Sequence, residues 1–279
     1  AGGTQSAAIL GGGQQYAPSV YYANTEYYDG SAWTEVADLN TARGYGTGAP
    51  AGPQTAGLYA GGYGPSSRQD ICETWNGTSW TEVGNTNTAR SQGGGAGTNT
   101  AALQFGGEEA PPDWNQGRTE SWNGTSWTQL NTMVNARTQC SSGGTQTSAV
   151  TAGGHPGSGS TADAETWDGT SWSEVANLNT VRQGPMGAAA SNSVGIVCGG
   201  RNPPPSTNYL GVAETWNGTS WTEVADLATA RYNGTAGGTG ILAWAAGGQT
   251  SAPGPSGNSN ATEEWTIPQP IEIKTFTAS

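Results

Sequence analysis

Two sets of residues in this 279-residue chain could do chemistry, one repeated and one not. The repeated set is a glutamate two positions before an aromatic ring, at Glu26/Tyr28, Glu73/Trp75, Glu120/Trp122, Glu165/Trp167, Glu214/Trp216 and Glu263/Trp265. Five of these units also end on an arginine, at Arg43, Arg90, Arg137, Arg182 and Arg231. Five acid/cation pairs could act as catalysts, but a feature copied in every unit serves every unit. A charge near an interior needs a partner, so the spacing predicts structural pairing of glutamate with arginine, within or between units. The other role open to the five arginines is a ring of guanidinium groups that binds an anion or the acidic group of a ligand.

The unrepeated set is small. His155 is the single histidine, which excludes a metal site built on several imidazoles within one chain and places the residue in a solvated loop. Cys72, Cys140 and Cys198 are odd in number and lack a Cys-x-x-Cys spacing, so neither a disulfide framework nor a zinc site is encoded. Cys72 and Cys198 fall in strand-like stretches where a thiol behaves as a small hydrophobe. No catalytic metal and no cofactor are expected. Glu108, Glu109, Asp113 and Arg118 form the one cluster with acid/base potential, and it lies in a loop. There is no nucleophile-elbow pattern, and Asp168-Gly169 in WDGTSW lacks the intervening residue of a sialidase Asp-box, so hydrolase chemistry gains no support.

The elements that must position these residues are read from self-similarity. A di-glycine closes a short apolar run at Gly12, Gly61, Gly106, Gly153, Gly199 and Gly247, with steps of 49, 45, 47, 46 and 48 residues. The runs before it, such as Leu58-Tyr59-Ala60, are too short for a buried helix and are bounded by glycine, which predicts strands. The stretch CETWNGTSWTEV, residues 72–83, places Asn-Gly between aromatic and β-branched segments, a strong hairpin signal. In two other units the turn reads Asp29-Gly30 and Asp168-Gly169, so the turn, and not an Asn-x-Thr glycosylation acceptor, is what the repeat conserves in itself. Gly-rich stretches such as residues 91–98 lie where an innermost strand would run. Each unit thus reads as four antiparallel strands, and six such units bury their sheet faces by stacking radially in a single domain over residues 1–279.

Composition agrees with this. Leucine, isoleucine, valine and phenylalanine are scarce, but twelve Trp and ten Tyr supply apolar area, and 46 Gly permit close backbone approach. With one Lys and eight Arg against 21 acids, the net charge is −12, which leaves no basic surface for nucleic acid. No apolar run is long enough for a membrane-spanning helix, and no membrane insertion is expected.

Di-glycine, then Glu-x-Tyr/Trp, then a second Trp, at Trp33, Trp80, Trp127, Trp172 and Trp221, resembles the kelch repeat over nearly the whole chain. The resemblance implies an all-β, six-bladed kelch-type β-propeller. The sixth unit departs from the pattern after Trp265, and residues 271–278 are expected to form its outer strand. Alignment of residues 1–13 with 236–248 sets Ala1 inside the innermost strand of blade one, with a sixth arginine expected just upstream in a longer sequence.

Function is expected where the units differ. The stretches between di-glycine and glutamate diverge, are rich in Pro and Gly, and carry aromatics without repeat counterparts: Tyr16, Tyr21, Tyr22, Trp114 and Tyr209. Strand alternation puts these loops on the face that also carries the arginine-containing links between blades. Tyr21, Tyr22, Trp114, Arg118 and Tyr209, with a rim of Arg43, Arg90, Arg137, Arg182 and Arg231, are therefore the candidate ligand-binding residues. The phrase ETWNGTSWTEVADLNTAR and the closing EIKTFTAS are similar to kelch-like proteins of tailed marine bacteriophages. That resemblance implies a non-enzymatic module on the virion surface or tail fibre, outside the cell. Its partners would be a host-surface receptor or glycan and other virion proteins. A stand-alone glycan-binding lectin and a sugar-modifying propeller enzyme are the alternatives.

Overall fold

The computed structural model describes residues 1–15, 20–111, 114–202, 208–250 and 257–266, and no α-helix occurs among them. The strands form six antiparallel sheets, five with four strands and the sixth with three among the described residues. Residues 271–278, expected as the outer strand of the last blade, lie outside the described residues. The fourth blade is the template, with strands Ser141–Thr145, Ser148–Ala152, Ala164–Trp167 and Trp172–Val175 running from the axis outward.

The two outer strands of a blade are joined through a pair of facing rings. Trp167 is directly opposite Trp172, as are Trp75 and Trp80, Trp122 and Trp127, Trp216 and Trp221, and Tyr28 and Trp33. Ring centroids in these five pairs lie 5.1–5.5 Å apart, within the favourable range for tilted aromatic contact. The second ring also ties its blade to the one before it. Trp80 Nε1 donates to Thr25 Oγ1 at 2.9 Å and Trp172 Nε1 to Thr119 Oγ1 at 2.8 Å. Trp33 Nε1 donates to Thr262 Oγ1 at 2.9 Å, which joins blade one to blade six and closes the ring.

The Asn-Gly sequences do turn the chain, by a longer route than a two-residue hairpin. In residues 76–79 the Asn76 side-chain oxygen accepts from the backbone N–H groups of Thr78 and Ser79 at 2.9 and 3.0 Å. Asn123, Asn217, Asp168 and Asp29 do the same in their blades. Only the following glycine enters the left-handed region, with φ of 95° at Gly77. An Asx cap satisfies the turn with one side-chain oxygen, which Asn and Asp supply equally. That is why both types occupy this position.

Near the axis the innermost strands pack against one another, and room for side chains runs out. A Cβ added at Gly95 would lie 2.2 Å from the carbonyl oxygen of Gly48 in the neighbouring blade. Glycine at this position follows from the close approach of two backbones.

Candidate functional site

Each of the five periodic arginines is fully buried. Its guanidinium reaches across to the glutamate of the next blade: Arg43 to Glu73, Arg90 to Glu120, Arg137 to Glu165, Arg182 to Glu214 and Arg231 to Glu263. Four of these pairs measure 2.5–3.0 Å. Four of the five, all but Arg137, also donate to carbonyls of that next blade, as Arg43 Nε does to Gly61 at 3.0 Å and Arg182 Nη1 to Val212 at 2.6 Å. The arginine's own carbonyl accepts from the di-glycine of its own blade, Gly13 N–H on Arg43 and Gly62 N–H on Arg90. The glutamate is satisfied in turn by the link between blades: the backbone N–H and Nδ2 of Asn40 donate to Glu73 at 2.8 and 2.7 Å, and those of Asn87 to Glu120 at 2.8 and 2.7 Å.

A buried ion pair is tolerable when its lone pairs and protons are taken up, as they are most completely in the Arg43–Glu73 and Arg182–Glu214 pairs. Burial pulls Arg90 and Arg182 below the usual guanidinium value, and the facing Glu120 and Glu214 oppose that shift. These arginines therefore clamp consecutive blades, as pairing predicted. They do not form the exposed rim also entertained for Arg43, Arg90, Arg137, Arg182 and Arg231, because no guanidinium among them reaches solvent.

Two positions after each arginine the backbone enters the left-handed region, at Tyr45, Gln92, Gln139, Gly184 and Asn233, with φ between 52° and 60°. These residues form a belt around the channel mouth. Gln92 N–H donates to Tyr45 O, Gln139 to Gln92, Gly184 to Gln139 and Asn233 to Gly184, at 2.8–2.9 Å. The belt encircles a cavity of about 420 Å³ lined by amide side chains and glycine backbone. The sequence signal was present as a fixed offset from each arginine, but one position held by Tyr, Gln, Gly and Asn does not register as a motif.

The loops after the di-glycines emerge beside this belt. Backbone bridges pair each loop with its arginine-containing link, Gly44 with Tyr63, Ser91 with Glu108, Thr138 with His155, Gln183 with Arg201 and Tyr232 with Gln249. Candidate aromatics and cations meet there in a chain that crosses blade boundaries. Tyr21 lies 5.9 Å from Tyr63, and Arg68 stands over Tyr63 at 5.5 Å and over Trp114 at 5.3 Å. Trp114 is 52% exposed. Tyr22 is exposed and donates to Gln15 Oε1 at 2.7 Å. Burial, and then Tyr63, raises the Tyr21 phenol above its usual value. On the far side Tyr209 packs on Tyr232 at 5.2 Å, and Arg201 covers the same Tyr232 ring at 4.5 Å. Tyr21, Trp114 and Tyr209 each take part in a ring contact, but the structure does not bring them to a single point.

The acid cluster resolves into two ion pairs, Glu108 with Arg68 at 2.7 Å and Glu109 with Arg118 at 3.0 Å. Asp113 and Tyr16 lie outside the described residues. His155, expected in a solvated loop, is half-buried, and its Nδ1 accepts from the Gly157 N–H at 3.2 Å. It lines a groove of about 740 Å³ with Trp114, Glu108 and Arg201. Cys72 and Cys198 are buried, and burial pushes each thiol up to about 12, so both pack as hydrophobes. Among the described residues no three of His, Cys, Asp and Glu converge as a metal set would.

Arg68 and Arg201 escaped the sequence reading, although a signal for them existed. The eight arginines divide into five at repeat positions and three that are not, Arg68, Arg118 and Arg201. All three of the latter sit in the loops of this face.

No family model matches the chain, and no curated protein matches it. Among solved structures, that of YjhT is similar with a TM-score of 0.71 over 88% of this chain and 89% of that one, at 15% sequence identity. The chain folds as a six-bladed β-propeller. At that identity the likeness carries the fold alone.

Proposed function

We propose that this propeller is a non-enzymatic recognition module, and that the face carrying the divergent loops binds a host-surface receptor or glycan. The observation that carries this reading is the asymmetry between the two faces. One bears five copies of the same Asx-capped turn, which offer a partner nothing to discriminate. The other carries Tyr22, Arg68 and Arg118 on its loops and a groove lined by Trp114 and Arg201, and aromatic and arginine side chains are the types enriched where binding energy concentrates. The resemblance of ETWNGTSWTEVADLNTAR and EIKTFTAS to kelch-like proteins of tailed marine phages supports placing the module on a virion surface or tail fibre, beside other virion proteins.

The reading is tested by the double substitution Trp114→Ala with Tyr22→Ala. Retention on a glycan array or on host cells should fall at least tenfold while stability stays within about 1 kcal/mol, as expected for exposed positions. A control change on the other face, Thr219→Ala, should leave binding intact. Loss of binding in the control alone would assign function to the wrong face.

A further inference from the structure

Seven of the eight arginines stand in ion pairs, five buried between blades and two on the rim with Glu108 and Glu109. Arg201 is the eighth, and among the described residues no carboxylate faces it. Its position is nevertheless fixed. The guanidinium lies over the Tyr232 ring at 4.5 Å. With the buried Gln183 amide turned so that its oxygen faces the guanidinium, it accepts from Arg201 Nε and Nη2 at 2.8 Å each. Among the described residues that leaves Nη1 and the positive charge without a counter-ion, on a protein whose net charge is −12.

Arg201 lines the same 740 Å³ groove as Trp114 and His155. The remaining wall mixes apolar surface, as at Pro156, with the amides of Gln92, Asn115 and Gln139 and the carboxylate of Glu108. That carboxylate is already compensated, Oε1 by Arg68 at 2.7 Å and Oε2 by Gln92 Nε2 at 3.2 Å. The groove volume lies in the range of small-ligand sites, and its lining sets polar groups beside apolar surface, as an amphipathic ligand requires. Amides suit hydroxyl groups, an exposed indole suits the apolar face of a sugar ring, and an oriented guanidinium suits an oxyanion.

We infer that the groove between the loops of blades three, four and five takes an anionic saccharide, with its carboxylate or sulfate on Arg201 and a sugar ring on Trp114. This rests on the reading of the loop face as a glycan-binding surface and narrows it to one chemical class and one residue. The ion pairs of Arg68 and Arg118 make those two side chains part of the frame. Arg201 is the side chain left to meet the charge of a ligand.

The test is an array of carboxylated and sulfated saccharides printed beside their neutral parents, read with the whole protein and with Arg201→Gln and Arg201→Lys. The wild type should retain acidic members at least tenfold over their parents, and this preference should weaken as salt rises. Arg201→Gln should abolish the preference, and Arg201→Lys should keep part of it because the charge remains. Thermal unfolding of each variant checks that the fold is intact. Titration of the best-retained saccharide should shift the ring signals of His155, the single histidine of the chain, in the wild type and not in Arg201→Gln. Equal retention of acidic and neutral members, or a preference unchanged in Arg201→Gln, would overturn the inference while leaving a glycan-binding face in place. Retention of no saccharide at all would overturn both.

Discussion

The layer of buried arginines between blades and the arginines of the loop rim use one side chain for opposite ends. In the layer each guanidinium is fully buried and faces a glutamate of the next blade, and those of Arg43, Arg90, Arg182 and Arg231 also donate to backbone carbonyls. On the rim Arg68 and Arg118 keep solvent contact beside Glu108 and Glu109, and Arg201 lines a groove and forms no ion pair among the described residues. What separates the two sets is periodicity. A residue that recurs in every blade occupies an equivalent place in every blade, and in a closed ring that place is the contact between neighbours. A residue found once cannot be required by the ring, and it is free to serve a ligand.

Several substitutions sharpen or break this contrast. The largest effect belongs to the layer: Arg137→Gln would leave Glu165 buried without its cation and should cost about 3–5 kcal/mol in denaturant unfolding. Trp167→Ala, in the facing ring pair, should cost a similar 3–5 kcal/mol by opening a cavity between blades. The rim behaves otherwise. Arg68→Ala breaks a partly exposed ion pair and should change stability by about 1 kcal/mol or less, yet it releases Trp114 from its stacking partner and should weaken ligand retention.

The smallest effect lies in the turns. Asp168 is held below the usual carboxylate value first by the backbone N–H of Ser171, and Asp29 first by that of Ala32. A depressed folded value means that each turn contributes stability above the usual carboxylate value of 3.8 and loses it as pH falls through the lower, folded value. Asp168→Asn keeps the acceptor oxygen used in three other blades, so it should remove that acid-side dependence without loss at neutral pH. A pH series of thermal unfolding curves checks this. A large loss at neutral pH would mean the turn needs charge.

Much of this was readable in the sequence because repetition fixes positions by their equivalents. The di-glycines, the facing rings of Trp167 and Trp172, and the Glu/Arg pairing all follow from six aligned units, since each unit alone cannot bury its sheet. The channel belt at Tyr45, Gln92, Gln139, Gly184 and Asn233 was not readable, because a backbone requirement for positive φ is met there by four side-chain types. The burial of Arg43 and its equivalents could be anticipated only as one of two roles, since an arginine beside a glycine-rich link can turn inward or outward and the sequence does not state which. Arg201 was not legible because its importance is negative: among the described residues it is the arginine without a carboxylate partner, and that needs the positions of all the others. Tyr21 and Tyr209 were found as loop aromatics, but their separate partners, Tyr63 and Tyr232, belong to spatial neighbours.

The claim that periodic residues build the ring and aperiodic ones serve a ligand is tested most directly by replacing each of the eight arginines singly with glutamine. Melting temperature and glycan-array retention are then measured on every variant. The account predicts that the two readouts separate. Changes at Arg43, Arg90, Arg137, Arg182 and Arg231 should lower the melting temperature by several degrees and leave retention by the folded fraction unaltered. Changes at Arg68, Arg118 and Arg201 should leave the melting temperature within about 4 °C and reduce retention, with Arg201 the most affected. A buried arginine whose loss leaves the melting temperature unmoved, or a rim arginine whose loss unfolds the protein while the other rim changes spare binding, would contradict it.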